Sequence, residues 1–335
     1  MSRSLVLVLV LVLVLGCSRR HESPPPQRAF YFWRTTFQLS DAEQRALAEL
    51  HVTKLYVRAF DVTWADGPGF AGELQPGTPV PAGIDIVPVV FVRSEVLAHG
   101  SPQLARDIRE HLHARMSALG VTPRELQVDC DWTDRTRDAY FALLRDLRAP
   151  GVALTATIRL HQIKYRERTG VPPVDRGTLM FYNMGKFSAD PEARAIFDAS
   201  AADRYLSRLA SYPLPLDVAL PIWSWTLQLR DDRVVDLLQS TDPGELPALD
   251  FLKQTAPDRF VATRTAFLHG VLLREGDELK VEVTGPADTL AAATMVAAHL
   301  PAVESSRTVT LFDLSERNLA RHGIASLDQV FRSVR

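Results

Sequence analysis

The feature that most constrains this chain is an alternation that runs along nearly its whole length. Short runs rich in β-branched and aromatic residues recur at 29–37, 54–62, 86–93, 125–132, 153–161, 178–184, 217–226 and 308–313. Between most of them lie stretches with helical periodicity: 41–50, 103–119, 136–147, 201–212 and 290–300. Their ends carry the expected punctuation. Ser40 stands three residues before Glu43, the spacing of a capping box. Gly120, Pro150-Gly151, Pro213 and Pro301 follow the helical stretches and stop them. Each connection is long enough to be a crossover, so the strands are expected to run parallel. Eight such units within 335 residues predict a (β/α)₈ barrel of the TIM type. A doubly wound open sheet is the competing arrangement, but no glycine-rich phosphate loop follows any strand.

The rhythm breaks once. Extra material at about 229–286 separates the seventh and eighth strands, first a polar acidic stretch and then a segment of hairpin-like alternation. It predicts a small α+β insertion on the barrel rim. The expected organisation is therefore a leader at 1–17, a tether at 18–28 and the barrel at 29–335.

The leader predicts how the chain is held. Arg3 precedes an uninterrupted Leu/Val run from Leu5 to Leu15, long enough for a signal peptide and too short to span a bilayer comfortably. Val14-Leu15-Gly16-Cys17 resembles the lipobox of bacterial lipoproteins, which implies cleavage before Cys17 and acylation of its sulfur. Membrane lipid is then a partner through Cys17, since each buried CH₂ contributes about 0.8 kcal/mol. The polar, Pro-rich residues 18–28 form the tether. The expected location is the bacterial cell envelope, lipid-anchored, at the outer membrane. Thirty-eight Lys and Arg against 40 Asp and Glu leave a net charge of -2, with no basic excess to attract nucleic acid. Two cysteines exclude a disulfide scaffold and a multi-cysteine zinc site, and acylation of Cys17 would leave Cys130 without a disulfide partner.

The fourth strand run carries the sharpest chemical signal. In Gln127-Val128-Asp129-Cys130-Asp131-Trp132-Thr133, alternation puts Asp129 and Asp131 on one face and Cys130 on the other. In a barrel that face is the interior, at the C-terminal mouth where barrel enzymes keep their chemistry. Two like charges about 6–7 Å apart on one strand raise a pKa or demand cationic partners. Arg58, Arg93, Arg159 and His161 stand near strand ends, with Arg159 and His161 on a shared face, as partners for the aspartates or for a ligand's anionic group. No His or carboxylate at ligand spacing accompanies His161, so no metal is expected, and nothing in the sequence calls for a cofactor. Trp33, Trp132, Trp223 and Trp225 fall at or near strand ends, where aromatic faces stack on flat ligands.

This pattern resembles the family 18 glycoside hydrolases, the chitinase-like barrels, whose fourth strand ends in D-x-D-x-D-x-E. Asp129, Asp131 and Trp132 match that run, Gln127 stands at its first aspartate, and Thr133 stands at the glutamate that is the family's general acid. Met180-Phe181-Tyr182-Asn183 is similar to the family's M-x-Y-D, with Asn183 for Asp, and Leu220 to Trp225 resembles its seventh-strand segment. The resemblance implies Asp129, Asp131 and Tyr182 as catalytic positions, and Trp33, Arg159, His161, Asn183, Trp223 and Trp225 as ligand-binding ones. It also implies a polysaccharide or N-acetyl sugar as ligand. Threonine cannot protonate a leaving glycosidic oxygen at neutral pH, so whether the chain is an enzyme stays open. The readings are a glycan-binding barrel, a glycoside hydrolase drawing its acid from elsewhere (Glu95 is one source), and a structural envelope protein.

Overall fold

The computed structural model describes residues 24–100, 102–239, 241–303 and 305–334. The leader with Cys17, and the tether as far as residue 23, lie outside the described residues. The chain enters its first strand, β1 (Gln27–Phe32), two residues before the expected start. There follow β2 (Lys54–Trp64), β3 (Asp85–Val92), β4 (Glu125–Asp129), β5 (Ala153–Arg159), β6 (Arg176–Met180) and β7 (Leu216–Pro221). Each pairs in parallel with its sequence neighbour. The last barrel strand, Thr308–Phe312, pairs in parallel with β7 on one side and β1 on the other, closing an eight-stranded barrel.

Helices cover the outside. Helix α1 (Asp41–Glu49) starts at Ser40, where the capping box forms in both directions: the Glu43 amide donates to the Ser40 hydroxyl and the Ser40 amide to the Glu43 carboxylate. Helix α2 (Leu104–Ala118) ends two residues before Gly120, whose φ of 69° is the left-handed geometry glycine tolerates best. Helix α3 (Arg137–Leu147) lies against β4, where the Tyr140 hydroxyl donates to the Val128 carbonyl. Strand and helix side chains meet in the main core, where Phe30, Val57, Val90, Val128, Ile158 and Leu311 are fully buried. The barrel interior holds a second, smaller core of Tyr31, Tyr56, Val89, Met180, Tyr182 and Ala219.

The seventh strand run at 217–226 is two elements. Strand β7 stops at Pro221, and after Ile222 and Trp223 the chain starts β8 (Ser224–Arg230) in a different sheet. Strand β8 is joined by β9 (Arg233–Leu238), β10 (Leu252–Ala256), β11 (Arg259–Ala262) and β12 (Glu278–Val283), all antiparallel, in the order β9-β8-β12-β11-β10. This sheet has its own apolar core around Phe260, Leu279 and Val281. It is fastened to the loop after β6 by Lys280, fully buried, whose ammonium donates to the carbonyls of Ser188, Asp190 and Ala193 and lies 3.4 Å from Glu282. A buried ammonium is tolerable only with its hydrogen bonds filled, so the loop and the sheet are held as one unit at the barrel mouth.

Candidate functional site

Strand parity builds the site from β4. Leu126, Val128, Cys130 and Trp132 point outward into the main core, while Gln127 and Asp129 point into the barrel. Gln127 is fully buried and fully used: it accepts from the Tyr31 hydroxyl at 2.6 Å and donates to Thr178 Oγ1 at 2.9 Å. Asp129 accepts from the Thr157 hydroxyl at 2.6 Å. Asp131 lies past the end of β4, with its side chain 57% exposed, and Arg159 Nε donates to its Oδ1 at 2.6 Å. The neutral glutamine amide at 127 leaves two carboxylates on this strand end, and Arg159 is the cation beside both.

The electrostatics follow from that geometry. Burial pushes the Asp129 carboxyl above the usual carboxylate range, with Arg159 and the Thr157 hydroxyl working the other way. Burial also works against the Arg159 charge, but the carboxylates of Asp129 and Asp131 outweigh it and hold the guanidinium more firmly protonated than usual. Tyr182, buried with its hydroxyl 3.1 Å from Met180 Sδ, is raised by burial and stays a neutral phenol. His161 is lowered by burial, against the pull of Asp131.

These groups open onto one cleft. A cavity of about 540 Å³ is lined by Trp33, Asp129, Asp131, Arg159, Tyr182, Asn183, Trp223 and Trp225, among others. A smaller one of about 330 Å³ adjoins it through the shared Asp131, Arg159, Tyr182 and Asn183, and adds His161 and Tyr205. The aromatic wall is continuous: Trp33, Tyr182 and Trp223 each lie within 6 Å of the Phe312 ring, and Trp223 is 6.0 Å from Trp225. Trp225 belongs to β8 and donates its indole N–H to Glu282 at 3.1 Å, so the insertion supplies part of the wall. Asn183, at φ 54°, donates its amide to the Ile196 carbonyl at 2.8 Å, which turns the chain at the rim.

Three expectations are corrected. Trp132 is not in the cleft: it is buried against Tyr140 of α3, and its N–H donates to the Thr169 carbonyl at 2.9 Å. His161 does not share a strand face with Arg159, because β5 ends at Arg159 and His161 is the second residue of a short helix, Leu160–Lys164; it reaches the site from that helix. Glu95 and Arg93 are solvent-facing residues at the start of the helix Ser94–His99 and line neither cavity. Thr133 is exposed, with its hydroxyl 3.4 Å from Thr136, and likewise lines neither cavity.

Other cleft residues were not anticipated. Asp61 takes a bidentate pair from Arg58, at 2.7 and 2.6 Å. Asp313, next to the last barrel strand, accepts from the Asn318 amide at 2.7 Å, and burial raises its carboxyl above the usual range. Arg34 and Arg317 complete that corner. Asp61 lay inside the second strand run and Asp313 at the end of the eighth, a position at which a mouth carboxylate was readable.

No protein-family profile and no curated protein matches the sequence. Solved structures do resemble the fold. The spore cortex-lytic enzyme SleL of Bacillus cereus superimposes with a TM-score of 0.55 at 11% identity, over 94% of this chain and 75% of that one. The chitinase-like agglutinin of Robinia pseudoacacia gives 0.52 at 9% identity, over 91% and 98%. Catalytic domain 2 of the Group II chitinase of Ostrinia furnacalis gives 0.50 at 10% identity, over 92% and 97%. At these identities the likeness is one of fold: the chain has a chitinase-like barrel.

Proposed function

We propose that the protein is a lipid-anchored barrel of the bacterial envelope, held at the outer membrane through acylated Cys17, that binds glycan at its mouth without cleaving it. The observation that carries the reading is the composition of the cleft. An aromatic wall suited to sugar faces shares the cleft with Asp131, which is paired to Arg159, while Thr133, at the position of the family's acid, faces solvent. A chitinase-like agglutinin with the same fold is a precedent, by its name, for a barrel that binds. Asp131 is the side chain best placed to accept a hydrogen bond from a sugar amide, being exposed, with Arg159 as its one ion-pair partner among the described residues.

The test is calorimetry with chitin oligosaccharides on protein lacking residues 1–23. Wild type is expected to bind without releasing product, and Asp131→Asn to bind about ten- to a hundredfold more weakly, the loss of one charge-assisted hydrogen bond. Absence of any saturable binding by wild type would refute the reading. A second reading, hydrolysis, draws on one specific feature: burial raises two cleft carboxyls, Asp129 and Asp313, and a raised carboxyl is what a general acid requires. Turnover of the same oligosaccharides, abolished by Asp313→Asn, would establish it instead.

A further inference from the structure

The cleft holds more cationic side chains than its carboxylates engage. Four arginines line it: Arg34, Arg58, Arg159 and Arg317. Arg58 is paired to Asp61 and Arg159 to Asp131. Arg34 gives one nitrogen to Glu43 at 2.9 Å, rests 4.4 Å from the centre of the Phe32 ring, and is otherwise exposed. Arg317 differs from all of these. Among the described residues it makes no ion pair and no hydrogen bond, and its Nε is shut off from solvent without a partner. Arg115 and Arg307 also have an unpartnered Nε, but Arg115 is paired to Glu73 and Arg307 donates its other nitrogens to carbonyls. An unsatisfied guanidinium facing a cavity asks for an explanation.

Its surroundings supply one. Asp313 is within electrostatic reach of both Arg317 and Arg34 but spends its hydrogen bond on Asn318. Trp33 and Phe312, 5.4 Å apart, form the adjacent piece of wall. Trp33, Phe312, Arg34 and Arg317 line the same cavity, so a sugar ring stacked on that wall would have both guanidinium groups within the same cleft. Arg317 has no existing pair to break, so the full strength of a charge-assisted, fork-shaped contact to a planar anion is available to it.

We propose that the Arg317–Arg34 corner recognises a carboxylate on the saccharide, so that the ligand class is an acidic glycan rather than a neutral one. This rests on the glycan-binding reading and narrows it. The experiment compares two probes by calorimetry: an oligosaccharide of alternating N-acetylhexosamine and hexuronate, and the same molecule with its carboxylates reduced to alcohols. Wild type is expected to prefer the acidic probe by about tenfold or more, with the preference falling as salt is added. Arg317→Gln is expected to bring the ratio of the two affinities close to one, and Arg317→Lys to retain part of it. Equal affinities in wild type would overturn this inference and leave the glycan reading intact, as would a preference that survives Arg317→Gln. Binding of neither probe would overturn both.

Discussion

Asp313 shows how a single residue reports on the site. Its carboxyl is half-buried beside the cleft, and that burial raises it, with its own backbone amide, Arg317, Arg34 and Asn318 opposing. A carboxyl raised in the folded state holds its proton more tightly there than in the unfolded chain. Between the ordinary value of about 3.9 and the raised one, folding is therefore accompanied by proton uptake, and stability falls as pH rises through that window. Asp313→Asn keeps an oxygen to accept from Asn318 and removes the charge. Melting temperatures of variant and wild type should converge near pH 3 and separate as pH rises toward 7, the variant being the more stable. A gap that does not change with pH would mean that the carboxyl is not perturbed in the folded protein.

At the scale of elements, strand parity explains both what could be read from the sequence and what could not. All eight barrel strands were visible because a strand covered by helices outside and filled inside is a dense run of β-branched and aromatic residues. The ends were less legible. The run at 217–226 continued through Trp225 because the strand pattern persists, yet the chain changes sheet after Pro221; residue type does not reveal which sheet a strand joins. Trp132 was assigned to the cleft by nearness to a strand end, although its even number places it with Cys130 on the outer face, the signal that settles its position. Asp129 and Asp131 were placed correctly because odd numbering points them inward. Arg317 was beyond reach, because it enters the cleft from the helix Glu316–His322 and no strand pattern aims it. The outward position of Trp132 has a measurable consequence. Trp132→Ala empties a fully enclosed site against Tyr140 and should cost about 3–5 kcal/mol in urea unfolding. Trp223→Ala, on the half-exposed cleft wall, should cost clearly less stability and should weaken oligosaccharide binding by roughly tenfold or more. A Trp132→Ala variant with native stability would place that ring outside the core.

The whole molecule has a direction, set by the parallel barrel. Every barrel strand runs the same way, so the chain enters at one rim and the cleft opens at the other. Strand β1 spans the two: Gln27 pairs with Thr308 at the entry rim, and Trp33, just past Phe32, lines the cleft about 20 Å away. Residues 18–26, fully extended, reach at most about 30 Å. If Cys17 carries the proposed lipid, the entry rim is expected to be the side leashed to the membrane, with the cleft facing away from it. Fluorophores test this orientation. Arg124 is exposed immediately before β4, at the entry rim, and Lys186 is exposed in the loop after β6, at the mouth. Each is changed to cysteine and labelled in the acylated protein, where Cys130 is buried and inert. With vesicles carrying a spin-labelled headgroup, the label at 124 should be quenched more strongly than the label at 186. Cys17→Ser should abolish the quenching of both, since the tether then holds nothing at the surface. Stronger quenching at 186 would turn the mouth toward the bilayer and make lipid, not glycan, the nearer ligand.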